Sequence, residues 1–382
     1  MLFDWFRDFR QQLCRFRSVR RKANRSMRSA EALESRVLLS AFTVNTLVDL
    51  PDVNPGDGIS DDGLGNSSLR AAIMEANALP GDDTVLLGPG LYALSLTGAD
   101  EDAALTGDLD VRESLTIIGM GADTTIIDAA GLDRVFQVFA GASLNLSGVT
   151  ITGGDVVGTG GGLYNEGHVS LRDSTVTGNS SVDRGGGIYS ATGSDLNVAD
   201  TTISNNTTDN RGGGIFSKGA LTIQGSSISG NTASVRAGGL QSTGIGTIIN
   251  STVFGNSAVD LAGGIRNTGV LTVANTTVSG NSAGVNGGGV QNQNTMVITA
   301  STITKNTAAT GGGIFNKAGS KSITLQNTIV AGNTATTADA DTSGLFLTDG
   351  NNLIGDLGNA TGFVAGVRGD QIGDAGSPID PG

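Results

Sequence analysis

Between residues 153 and 335 the apolar residues fall into short alternations, not into long amphipathic stretches. One apolar column runs Leu171, Val198, Ile223, Ile248, Val273, Ile298 and Leu325. A second runs Val176, Ile203, Ile228, Val253, Val278, Ile303 and Val330. A third follows a glycine, at Leu163, Ile188, Ile215, Leu240, Ile265, Val290 and Ile314. Apolar residues alternating with Ser and Thr have the period of a strand. The apolar stretches are too short for helical repeat units.

The columns recur at a fixed interval. Asn179, Asn206, Asn231, Asn256, Asn281, Asn306 and Asn333 are spaced by 27, 25, 25, 25, 25 and 27 residues. Paired hydroxyls such as Thr201–Thr202, Ser226–Ser227 and Thr276–Thr277 precede the second apolar column. A coil of about 25 residues made of short strands predicts an all-β, right-handed parallel β-helix. Stacked coils lie about 4.8 Å apart, so identical side chains form ladders. Asparagine suits such a ladder in two ways: its amide hydrogen-bonds to its neighbour, and its backbone tolerates the left-handed conformation. Asn-x-Ser/Thr sequons, as at Asn179, Asn206 and Asn275, are then by-products of column composition. Seven coils are explicit, and two or three less regular ones precede them, around Ser114–Gly119, Thr125–Asp128 and Ser143–Thr152. Nine to ten coils make a rod about 45 Å long.

A solenoid needs capped ends, because an open coil exposes its core and its strand edges. Four segments are expected: a basic leader over 1–41, an N-terminal cap region over 42–112, the β-helix over 113–335, and a C-terminal cap or irregular tail over 336–382. The cap region holds a predicted helix near 67–79, with Asn66 or Ser67 as N-cap and Leu69, Ile73 and Ala76 facing the first coil.

Composition supports this picture. Glycine accounts for 60 of 382 residues and proline for 6. With 38% hydrophobic residues the chain is not a disordered polar tract. The only cysteine, Cys14, and the only tryptophan, Trp5, lie in the leader, so no internal disulfide forms. No apolar run is long enough for a transmembrane helix. Residues 1–36 carry a net charge of +6 and the remainder −19. An acidic body disfavours nucleic acid as a partner.

The leader alternates aromatic and basic side chains, from Phe3 to Lys22, before the string Leu33–Ala41. The preferred reading is an export signal cut near Ala41, although its apolar part is short for that role. The alternative is a basic amphipathic helix for acidic lipid or RNA. The string Leu33-Glu34-Ser35-Arg36-Val37-Leu38-Leu39-Ser40-Ala41 resembles the leader on large exported surface proteins of planctomycete-type bacteria.

Two further resemblances concern the body. Ser67-Ser68-Leu69-Arg70-Ala71-Ala72-Ile73, followed by Glu75-Ala76-Asn77, resembles the Cys-Ser-Leu-Arg-Glu-Ala (CSLREA) motif that opens a family of exported, pectin-lyase-like β-helix proteins. Gly107-Asp108-Leu109-Asp110 and Asn351-Asn352-Leu353-Ile354-Gly355 fit the same family. Ser67 stands in place of its Cys and Ala71 in place of its Glu, so a cap disulfide is excluded. Such chains commonly run on past the equivalent of Pro381-Gly382, so a fragment or a shortened member is expected. The coils also resemble the polymorphic outer membrane protein repeat, through Gly186-Gly187-Ile188 and Ile203-x-x-Asn206, with Val or Ile in place of Phe. The membrane barrel of those autotransporters has no counterpart after residue 335.

Few constellations carry chemistry. Arg184, Arg211 and Arg236 form the only charged column, with Asp183, Asp209 and Asp260 adjacent. The column is either a self-neutralised ladder or a site for an anion or acidic polysaccharide, and it resembles the arginines and aspartates of pectate-lyase-type β-helices. No two successive coils are expected to stack carboxylates, which argues against hydrolysis by paired acids. His168, the only histidine, is expected in a surface turn. Tyr164, Tyr189, Phe216 and Phe315 form an outward ladder and a candidate weak contact strip, while Phe254 lies elsewhere in its coil. Calcium is the one candidate cofactor, through Asp49, Asp52, Asp57, Asp61 and Asp62, or through Asp100, Glu101, Asp102, Asp108 and Asp110. The first stretch resembles an EF-hand loop but misses its spacing, and solvated acidic loops are the alternative for both.

The preferred function is that of a non-enzymatic surface or extracellular rod, adhesin-like or structural in the envelope. Its partner would be a polysaccharide or protein. The rival is a polysaccharide lyase or glycoside hydrolase acting on acidic polysaccharide.

Overall fold

The computed structural model describes residues 39–98 and 101–380. Most of the basic leader, together with Cys14, Trp5 and Asp100, lies outside the described residues.

The body is a right-handed parallel β-solenoid of about ten turns. Four parallel sheets run along it. Sheet 1 has twelve strands, from Ala41–Thr43 to Leu347–Gly350, and sheet 2 has twelve, from Gly90–Ala93 to Gln371–Ile372. Sheet 3 has ten strands, from Leu109–Val111 to Thr342–Ser343, and sheet 4 has eight, from Asp155–Val156 to Thr334–Ala338. Register follows the sequence period: Leu171 pairs with Val198, Val176 with Ile203, and Ile188 with Ile215. The three apolar columns point inward and are fully buried. The sheets reach beyond the expected 113–335. Ala41–Thr43 and Asp82–Leu86 already pair in sheet 1, and Gln371–Ile372 still pairs with Leu353–Ile354 in sheet 2.

The asparagine column is a buried ladder. The backbone N–H and the Nδ2 of each Asn donate to Oδ1 of the next, at 2.9–3.1 Å, from Asn179 to Asn333. Each Nδ2 also donates to a carbonyl of the preceding coil, as Asn256 does to Ile228 at 2.9 Å. Of the two expected uses of asparagine, this column makes only the first. The left-handed backbone falls on the residue before it: Gly178, Asn205, Gly230, Gly255, Gly280, Lys305 and Gly332. The division of labour is physical, since a side chain aimed into the core cannot also form the corner. A hydroxyl ladder runs parallel to it. The N–H of Thr201 donates to Ser226 Oγ, that of Ser226 to Ser251 Oγ, and that of Thr276 to Ser301 Oγ, each at 3.2 Å.

Both ladders end on a carboxylate. The last Asn presents two donors and needs an acceptor with no donor of its own. Asp341 supplies it for Asn333. Asn352 extends the hydroxyl column, and Asp370 Oδ1 accepts from its N–H at 2.9 Å and its Nδ2 at 3.0 Å.

Helix α1 spans Leu69–Ala78. Its N-cap is Ser68, not Asn66 or Ser67: Ser68 Oγ accepts from the N–H of Ala71 at 2.9 Å and donates to Leu50 O. That cap fixes the helix phase. Leu69, Ala72, Ile73 and Ala76 join Phe42, Val85, Leu109 and Leu115 in the core and close its N-terminal end. Arg70, fully buried, uses all its donors. They go to both oxygens of Asp49 (2.7 and 3.3 Å) and to the carbonyls of Ala104, Gly107 and Asp108. Buried Glu75 accepts from the N–H groups of Gly56 and Gly58. Asn77 bridges Asp110 O and the N–H of Arg112. The Leu-Arg…Glu-Ala-Asn string is therefore stitching for the cap.

Candidate binding face

Thr159, Arg184, Arg211, Arg236, Leu261, Asn286 and Thr310 pair in succession as single parallel bridges at the turn between sheets 4 and 3. The residue after each arginine has a left-handed backbone, at Gly185 (φ 66°), Gly212 (φ 71°) and Ala237 (φ 60°). A side chain at Gly185 would also press on the Ile188 carbonyl, 2.3 Å from its Cβ. This corner brings the column against the outward middle residues of sheet 3. The Arg184 guanidinium lies 5.3 Å from the Phe216 ring centroid, and that of Arg134 lies 5.6 Å from Tyr164.

Those outward residues are Tyr164, Tyr189, Phe216, Gln241, Arg266, Gln291 and Phe315, in successive register. Tyr164 stacks on Tyr189 at 5.3 Å, and Tyr189 on Phe216 at 5.7 Å. Tyr189 and Phe216 are buried all the same, so half of the expected aromatic contact strip is covered, Tyr189 by Lys218 and Phe216 by Arg184. The Tyr164 hydroxyl donates to Glu166 at 2.9 Å, and burial together with that carboxylate pushes its pKa up to about 12.

Charge along the column is neutralised only in part. Asp183 lies 3.6 Å from Arg184 and accepts from Asn210 Nδ2 at 2.8 Å. Asp260 lies 3.4 Å from Arg236. Asp209 is exposed and reaches no arginine. Arg211, in the middle, has no carboxylate within ion-pair distance, and its Nε is sealed without a partner. Burial first, and then Arg236 and Arg184, hold its pKa below the usual arginine range.

A further arginine of this face lies outside the column. Arg266 is only 4% exposed, and its Nε donates to Gln291 Oε1 at 2.9 Å. Burial, then Arg236 and Arg211, pull its pKa down to about 10. Beside it a recess of about 300 Å³ opens, lined by Arg236, Leu261, Arg266, Asn286, Gln291, Gln293, Phe315 and Lys317. Arg266 escapes a search by columns because its neighbours in register are Gln241 and Gln291, not arginines. Aligning the residue after each Gly-aliphatic pair is the signal that finds it.

Two expectations need correction. Asp173 and Asp200 do occupy one position in successive coils, both at φ 49°, beside the paired residues Arg172 and Ala199. The 27-residue spacing of that coil pair hides the match from a 25-residue count. Both are exposed, and Asp200 lies 3.5 Å from Arg172. His168 opens the strand His168–Arg172 instead of sitting in a turn, and it meets Asp195 of the next coil at 2.8 Å.

The acidic stretches are occupied by the chain itself. Asp52, Asp57, Asp61 and Asp62 each accept backbone N–H groups within their own loop. Burial is the first cause that raises the Asp52 pKa. Asp49 leaves this set for Arg70. In the second stretch Asp108 meets Arg134 at 3.0 Å, and burial raises it to about 6. Asp110 accepts from the N–H of Ala104, and burial with Asp108 nearby raises it to about 8. Among the described residues no group of three or more acids, His or Cys is arranged to hold a metal.

Residues 200–218 match the Chlamydia polymorphic membrane protein repeat. No curated protein matches the chain in sequence. Among solved structures, pectate lyase Pel9A is similar with a TM-score of 0.42 and 13% identity, covering 90% of this chain and 82% of that one. Among the described residues, no helix is long and apolar enough to cross a membrane.

Proposed function

We propose that the protein is an exported, surface-displayed rod that works by contact, adhesin-like or structural, and that its partner lies against the arginine face. The observation that carries this is Arg211, a guanidinium with no counter-ion between two other arginines on a rigid ladder. Three stacked cations at a spacing of about 4.8 Å suit a repeating anionic polymer better than a single small anion. A solenoid presents such a face without a deep pocket. The match of one coil to a membrane-protein repeat agrees with display at a cell surface.

The test is binding of the full chain to immobilised acidic and neutral polysaccharides across a salt series. Salt-sensitive retention on acidic polymers is expected, with Arg211→Gln weakening it roughly three- to tenfold. Equal retention on neutral polymers, or none on either, overturns the assignment of the face. Release of unsaturated or reducing ends would favour the enzymatic rival.

A further inference from the structure

We propose that the recess beside Arg266 is a binding site for a single carboxylate-bearing sugar unit, a hexuronate in chemical class. The proposal rests on the contact reading above only for the idea that this face meets a glycan.

Arg266 carries a charge that no carboxylate of the recess offsets. Arg266 is 96% buried, and its only protein hydrogen bond is from Nε to Gln291. Neither Nη makes a hydrogen bond to protein, and Arg266 is one of the residues that line the recess. The contrast with Arg70 is instructive, since that buried arginine spends every donor on protein acceptors. A buried guanidinium without a carboxylate is costly, and it lies near Arg236, a like charge. None of the side chains lining the recess is a carboxylate, whereas Arg236, Arg266 and Lys317 bring three cations to it. Asp260, the nearest acid in the column, is engaged by Arg236. The two Nη groups of Arg266, without protein partners, form a fork that a planar carboxylate fits.

The rest of the lining selects a sugar. Asn286, Gln291 and Gln293 are carboxamides, each able to donate and accept, as ring hydroxyls require. Phe315 gives an apolar wall for a ring face. About 300 Å³ is the lower end of the range for small-molecule sites, which suits one ring and not a folded peptide.

The experiment is ligand-observed NMR and calorimetry on the full chain with glucuronate and galacturonate, against glucose, acetate and an acidic peptide. Expected is uronate binding in the range of about 1–10 mM, with glucose and acetate at least tenfold weaker. Arg266→Gln places in the ladder the residue already present at 241 and 291, so it is expected to fold with an unchanged or higher Tm while losing binding at least tenfold. Lys317→Gln, on the same recess, is expected to weaken binding about threefold and decides the matter if Arg266→Gln does not fold. Absence of uronate binding in the wild type, or equal binding by both variants and the wild type, overturns the site. Acetate or the peptide binding as well as uronate overturns the sugar assignment. If uronate binds while no acidic polymer does, the recess stands and the contact reading fails; the reverse result sinks the recess alone.

Discussion

Asp341 Oδ1 accepts two hydrogen bonds from Asn333, one from its backbone N–H at 2.9 Å and one from its Nδ2 at 2.8 Å. The other oxygen, Oδ2, accepts from the N–H of Asp356 at 2.7 Å. Every bond at this carboxylate is received. An asparagine in its place would turn one of those oxygens into a donor facing an N–H. Asp341→Asn is therefore expected to cost about 1–3 kcal/mol, and urea unfolding of the full chain measures it. A loss below 0.5 kcal/mol, taken as roughly the noise of a surface change, would sink the idea that the ladder needs an acceptor-only end.

The middle of the ladder is the harsher test. Asn256→Ala removes the acceptor for both Asn231 donors and the side-chain donor that Ile228 O receives. Two buried donors left without their acceptor should cost about 3–5 kcal/mol. The same change at exposed Asn205 should cost far less, because that residue serves the corner.

Arg70→Lys is predicted to fail as a conservative change. Lysine cannot reproduce a planar fork that meets Asp49 and three carbonyls at once. A loss of about 3 kcal/mol or more is expected, with hydrogen exchange of residues 49–58 rising first. If exchange rises uniformly along the rod instead, α1 is not a local cap.

The pH dependence follows from Asp108 and Asp110. Both are raised, to about 6 and about 8, chiefly by burial. Between the unfolded carboxylate pKa, about 3.9, and these values the folded state binds more protons than the unfolded state. Stability should therefore fall as pH rises from about 4 to about 8, and level off above. Asp110→Asn should flatten that slope, leaving Tm at pH 5 nearly unchanged and raising it at pH 8. Parallel Tm–pH curves for the two proteins would refute the assignment of the slope to Asp110.

The strand period and the repeat were legible because each coil stacks on a near copy of itself. A residue's neighbours along a ladder are then its own equivalents one period away, and the three core columns and the asparagine ladder follow from counting. The Ser-Leu-Arg…Glu-Ala-Asn string was recognisable as a cap, although not the bonds that make it one. Counting fails where the partner lies in another column or breaks the period. Asp341 and Asp370 complete ladders of a residue type they do not share. Arg266 is brought beside Arg236 by a corner whose direction depends on a left-handed backbone at Ala237 and Ala262. The burial of Phe216 under Arg184 depends on the equivalent corner at Gly185.

By itself, then, the sequence determined the coil, its period and what faces the core, since these are properties of one residue and its repeat. Only the tertiary structure decided which charges are matched. Arg184 finds Asp183, Arg236 finds Asp260, and Arg211 and Arg266 find no acid. Coulomb energy depends on distance through space and on access to water, and neither is set by position along the chain.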